Sequence, residues 1–158
     1  MMKIAIGSDH GGVNLKAYIK DYLTENGYEY EDFGTDFDVP ADYPDIAEVV
    51  AKSVRDKDFD CGILICGTGI GMSIAANKVS GIRAAHVTDC YSARMAKQHN
   101  NAHIICLGER ITGCDLALEI VKSYLGEEFA GGRHARRVDK IDSALQGVTH
   151  RFHRFFPV

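Results

Sequence analysis

The sequence predicts an α/β fold, a parallel β-sheet with helices on both faces. Three observations carry this. Five short β-rich runs recur along the chain, and most are nearly all apolar without alternation, as strands buried on both faces are. Helical periodicities fill the intervals between them. Strands alternating with helices describe repeated βαβ units, which make the strands parallel and put helices on both sides.

The strand runs are Lys3–Ile6, Tyr28–Phe33, Gly62–Cys66, Ile82–Val87 and His103–Leu107. Leu15, Tyr18, Ile19, Tyr22 and Leu23 follow the i, i+3, i+4, i+7, i+8 pattern of a helix that Gly27 ends. Ile46, Val49, Val50 and Val54 define a second helix, Ile74, Ala75 and Lys78 a third, and Ala93, Met95 and Ala96 a short fourth. Thr112-Gly113-Cys114-Asp115 has the spacing of a capping box before Leu116, Ile120, Val121, Tyr124 and Leu125, with Gly126 as the stop. A last helix is expected over about 134–146.

The chain has 158 residues, 46% hydrophobic and 25% charged, a globular composition that excludes wholesale disorder. One domain over residues 1–146 is expected, followed by a basic, aromatic tail at 147–158 (GVTHRFHRFFPV) whose three phenylalanines favour docking against protein. The net charge of −4 argues against a general nucleic-acid binder. No apolar run approaches the ~18 residues of a membrane span, and the opening MMKIAIGSDH lacks a signal peptide's apolar core, so a cytoplasmic protein without membrane or nucleic-acid partners is expected. The five cysteines are odd in number and form no CxxC, which suits free thiols in a reducing compartment.

In a parallel sheet the ligand sits beyond the carboxyl ends of the strands. The first run is followed by Gly7-Ser8-Asp9-His10-Gly11-Gly12, where a helix N-terminus favours an anion; Asp9 could equally be a helix cap. The third run is followed by Cys66-Gly67-Thr68-Gly69-Ile70-Gly71-Met72-Ser73. Its alternating glycines turn strand into helix and expose consecutive backbone N–H groups as an anion nest. Cys66 stands beside that nest, and thiols at helix N-termini ionise more readily than free cysteine, although a small buried apolar role competes. The loop is neither G-x-G-x-x-G nor a P-loop, yet Asp89 lies where a ribose-binding acid would. His99 could shuttle protons or end a helix. Arg110 faces the same edge. Arg133 and Arg137 lie one helical turn apart and suit a phosphate, or belong to a solvated face. No cysteine or histidine spacing indicates a metal site.

Aldose–ketose isomerisation of a sugar phosphate uses all of these parts. A base moves a proton between C1 and C2, and N–H donors stabilise the enediolate by ~3–4 kcal/mol each. A second acid–base group opens the sugar ring. Arginines hold the phosphate, and no cofactor is needed.

KIAIGSDHGG at the start, Asp42-Tyr43-Pro44, ILICGTGIGMSIAANK (63–78), GIRAA (81–85), RMAKQHNNA (94–102) and GGRHARRV (131–138) resemble the ribose/galactose isomerase family, to which type B ribose-5-phosphate isomerases belong. The resemblance covers roughly residues 2–146 and implies a Rossmann-like, three-layer αβα sandwich with a five-stranded parallel sheet. It implies that Cys66 is the proton-transferring base and His99 the ring-opening group, with Thr68 and Tyr43 lining that part of the site. Gly67, Gly69, Ile70 and Gly71 then belong to the anion hole, Asp9, His10 and Asn100 to substrate contacts, and Arg110, Arg133 and Arg137 to the phosphate grip. Cys66, with Ser73-Ile74-Ala75 downstream, resembles the subgroup that uses cysteine rather than glutamate. The resemblance also implies a homodimer or homotetramer with sites at the subunit interface, and neither metal nor cofactor. The tail after Gln146 has no counterpart. A hexose 6-phosphate (allose or galactose) is the alternative substrate, and a nucleotide-binding module using the glycine loop and Asp89 the alternative class.

Overall fold

A computed structural model describes residues 2–37 and 39–144. Five strands form one parallel sheet: β1 (Lys3–Ser8), β2 (Glu29–Asp32), β3 (Cys61–Cys66), β4 (Ala84–His86) and β5 (Ile104–Gly108). Six helices alternate with or follow them: α1 (Val13–Glu25), α2 (Tyr43–Arg55), α3 (Ile70–Asn77), α4 (Cys90–Asn100), α5 (Cys114–Leu125) and α6 (Arg133–Ala144). The strand order is β2-β1-β3-β5-β4, with every pair parallel. Successive connections therefore depart in opposite directions at the β1–β3 boundary, the crevice where open α/β sheets bind ligands.

The three central strands are buried almost end to end, and their alternate side chains feed two cores. Ile4, Ile6, Ile63, Ile65, Ile105 and Leu107 face α1, α4 and α5. Ala5, Leu64, Cys66, Ile104 and Cys106 face α2 and α3. Gly7 lets α2 close on the sheet: a Cβ there would stand 2.8 Å from Ile46. α6 buries His134 and Val138, and packs on α4.

Several local expectations need correction. The second strand is shorter than expected, and its sequence EYED alternates between exposed and half-buried, because it is an edge strand. The fourth spans three residues at the opposite edge, rather than 82–87. Thr112 does not cap α5. Gly113 is the N-cap, and Asp115 accepts the Tyr18 hydroxyl (2.8 Å) instead of closing a capping box. The end of the expected last helix (145–146) and the 147–158 tail lie outside the described residues. Among the described residues no helix is long and apolar enough to cross a membrane.

Candidate active site

The cleft at the β1–β3 boundary holds about 460 Å³. It is lined by Asp9 after β1, by Cys66, Gly67, Thr68, Ile70, Gly71 and Ile74 from the end of β3 into α3, and by Tyr43 and Arg110. Cys66 is the last residue of β3 and is 5% exposed. The chain then reverses into α3 through Gly69, which has φ +80° and caps the helix. This turn brings the Gly69 N–H onto the Cys66 sulfur, 3.0 Å away. A Cβ on Gly69 would lie 2.8 Å from the His86 ring and 2.9 Å from the Leu107 backbone, so only glycine makes the turn. The Ile70 N–H is taken by Thr68 Oγ1 (3.3 Å).

Other buried thiols differ in surroundings. Burial pushes the Cys61 thiol up to about 12, and Cys106 higher still. Both pack as small apolar groups. Cys66 instead has a backbone donor aimed at its sulfur and an opening to the cleft. All five cysteines are free.

Asp9 is buried and accepts the Gly11 N–H at 2.9 Å, a tight turn rather than the cap of α1, whose N-cap is Gly12. Sequence reasoning missed what holds this end of α1. Glu109 accepts the Leu15 N–H (2.9 Å) and the Asn14 amide (2.8 Å), so the helix N-terminus expected to receive a ligand anion is already occupied by a carboxylate. The next residue, Arg110, lays its guanidinium against Gly67, where a Cβ would come within 3.1 Å of it. Tyr43 packs on Gly71 in the same way, at 2.7 Å from a would-be Cβ. His10 is exposed on this edge, just outside the cleft lining. Asp89 is not free for a ribose: Oδ1 accepts the Ser92 N–H and Oδ2 the Ser92 hydroxyl, both at 2.7 Å, as the N-cap of α4.

His99, Asn100, Arg133 and Arg137 do not reach this cleft within one chain. α4 begins beyond the carboxyl end of β4 and returns antiparallel to the strands for about 16 Å. His99 and Asn100, at its end, therefore lie on the edge where the strands begin. There His99 stacks on His134 of α6, ring centroids 4.0 Å apart and planes 6° from parallel. Arg133 and Arg137 are exposed on α6 beside them. The chain thus carries two separate constellations: a thiol with a glycine loop and one arginine, and a histidine pair with two arginines.

A parallel αβα sandwich with a cysteine-headed glycine loop at its crevice defines the class, a Rossmann-like protein with a thiol beside its cleft. The chain belongs to the Ribose/Galactose Isomerase family, whose sequence profile matches residues 4–141. It is similar to the ribose-5-phosphate isomerase B of Clostridium thermocellum, with 57% identity over 92% of this chain and 98% of that one, and a TM-score of 0.90. The ribose-5-phosphate isomerase B of Mycoplasma genitalium, solved with bound ribulose-5-phosphate, shares 44% identity over 92% of this chain and 97% of that one, with a TM-score of 0.86. The D-erythrulose-4-phosphate isomerase of Pectobacterium atrosepticum is 48% identical over 143 residues, 89% of this chain and 93% of that protein.

Proposed function

We propose that this protein is an aldose–ketose isomerase that interconverts ribose 5-phosphate and ribulose 5-phosphate. The observation that carries the reading is the Cys66 sulfur at the mouth of the glycine loop, with the Gly69 N–H upon it and Arg110 beside Gly67. The Mycoplasma genitalium relative, solved with ribulose-5-phosphate, supports the substrate. The Pectobacterium atrosepticum relative is named for a four-carbon sugar phosphate, D-erythrulose 4-phosphate, which makes that compound a second substrate to test.

In this mechanism Cys66, as thiolate, removes the proton from C2 of the open-chain aldose. The loop N–H groups not bonded within the loop hold the enediolate oxygens, the Gly69 N–H staying on the Cys66 sulfur and the Ile70 N–H on Thr68 Oγ1, and Cys66 returns the proton to C1. Asp9 and Tyr43 orient the hydroxyls. Ring opening requires a second acid–base group, His99, aided by Asn100, while Arg110, Arg133 and Arg137 hold the phosphate. Because His99, Asn100, Arg133 and Arg137 lie on the opposite edge of the sheet from Cys66, they reach the substrate from a second copy of the chain. The working unit is a homo-oligomer with each site shared between two copies, as symmetric assemblies allow. The exposed Tyr43, Ile70 and Ile74 around the cleft supply apolar surface for that contact.

Ketose formation from ribose 5-phosphate, measured in EDTA with Cys66→Ala alongside, tests this. Turnover by the wild type that the substitution abolishes supports it. Turnover undiminished by the substitution removes Cys66 from the chemistry. An inactive wild type is next assayed on D-erythrulose 4-phosphate and on hexose 6-phosphates.

A further inference from the structure

Arg83 lies between α3 and β4, outside the cleft, and takes no part in the chemistry above. Its side chain is 12% exposed and every guanidinium nitrogen has a partner. Nε donates to the Asn100 carbonyl at 2.9 Å. One terminal nitrogen donates to both carboxylate oxygens of Asp142, at 2.8 and 2.7 Å. The other donates to the Asn101 carbonyl at 3.1 Å and lies 3.1 Å from His103 Nε2. The backbone of Arg83 also pairs with His103, whose Nδ1 accepts its N–H (3.1 Å) and whose own N–H reaches its carbonyl (2.8 Å).

These partners belong to different elements. Asn100 ends α4, and Asn101 is its left-handed C-cap (φ +44°). The last carbonyls of a helix lack intrahelical partners and sit at the negative end of its dipole, so a guanidinium suits them. Asp142 belongs to α6. One half-buried side chain thus ties the end of α4, which bears His99 and Asn100, to the helix that bears Arg133 and Arg137. We propose that Arg83 is a positioning residue, one that holds His99, Asn100 and the two α6 arginines in a fixed register so that they meet a sugar phosphate as one unit. The inference rests on the functional reading above. Lysine cannot replace it in full: its three donors radiate from one point, whereas the guanidinium fork reaches α4 and α6 at once.

The two ties can be cut separately. Asp142→Asn loosens only α6, and Asp142 is 41% exposed, so the variant folds. The phosphate grip acts on substrate and transition state alike, and its loss appears in KM. KM for ribose 5-phosphate is expected to rise about fivefold with kcat within twofold, and competitive inhibition by inorganic phosphate to weaken by the same factor. Arg83→Gln frees the α4 end as well and lowers kcat by about 10- to 100-fold, the scale of small displacements of a catalytic group. Arg83→Lys, folded and of unchanged charge, recovers part of kcat and little of KM. Folded Asp142→Asn and Arg83→Lys with wild-type KM, kcat and phosphate inhibition overturn the proposal, as does a loss in Asp142→Asn confined to kcat. If the wild type lacks ribose 5-phosphate turnover, the functional reading fails instead. Inorganic phosphate titrations followed by the imidazole NMR signals of His99 and His134 then decide the role of Arg83: weakened binding in Asp142→Asn supports it, unchanged binding overturns it.

Discussion

The imidazoles of His99 and His134 lie face to face, 4.0 Å between centroids. Two imidazolium rings at this spacing would repel each other. Partial burial, then the His99 ring, then the guanidiniums of Arg133 and Arg137 hold His134 below the ordinary imidazole range, so it is neutral at pH 7 and can stack. An NMR titration is expected to place the His134 midpoint below 6.5, and Arg137→Gln to raise it, since removing a cation favours the protonated ring. A midpoint that does not respond to Arg137 would show that these groups are not electrostatically linked.

Separation of the two constellations predicts complementation. Cys66→Ala and His99→Ala each inactivate the proposed enzyme. In a two-site dimer that holds one copy of each, one site has both groups intact and the other has neither. Refolding an equal mixture is expected to recover about a quarter of wild-type activity, from random pairing in a two-fold symmetric dimer. Absence of any recovery, with mixed oligomers demonstrated, would falsify the shared site.

Two glycines of the loop differ in what an alanine would meet. At Gly69 the obstacles include the Leu107 backbone, and the backbone itself is left-handed. Gly69→Ala should cost about 3 kcal/mol in urea unfolding, from left-handed strain plus overpacking. At Gly71 the obstacle is the Tyr43 ring, a side chain that can swing away. Gly71→Ala should therefore fold with near wild-type stability while Tyr43 moves, which raises KM. A stability loss at Gly71 equal to that at Gly69 would contradict this distinction.

His103 makes stability depend on pH within a defined window. Burial, then the charges of Arg83 and Lys97, push its folded value down to about 4, against the opposing pull of Asp142. An unfolded histidine titrates near 6.5, so between these values the unfolded chain takes up a proton that the folded chain refuses. Stability is then lost as pH falls from about 6.5 to 4, by at most about 3 kcal/mol and by less because His103 is only partly buried. Asp32 contributes elsewhere. Burial opposes its ionisation, but bonds from Lys20, Gly34 and Lys16 hold it below the usual carboxylate range, so its contribution disappears only at lower pH. Urea midpoints at pH 7 and 5 should differ more for the wild type than for His103→Gln. Equal differences would remove His103 as the source.

Legibility in the sequence followed the range of the interaction. Strands buried on both faces, such as Gly62–Cys66, announce themselves by composition, and the turn at Gly69 by glycine spacing. The edge strands were drawn too long because their ends lack neighbours that only the strand order reveals. Position after a strand points to Cys66 and Arg110, and the family motif adds Tyr43; all three line one cleft. The Glu109 cap on Leu15 and the Arg83 fork have no local sequence pattern, since each joins residues distant in sequence. Thr112 has capping-box spacing without capping, because the following glycine takes the cap position.

The left-handed Gly69 also bears on how this gene can change. Every point mutation that replaces Gly69 by another amino acid introduces a Cβ, and a Cβ here meets the backbone of β5. No amino-acid replacement at this position avoids that contact. Gly69 changes only together with the strand it presses on, whereas Gly71, which faces the movable Tyr43 ring, is free to vary.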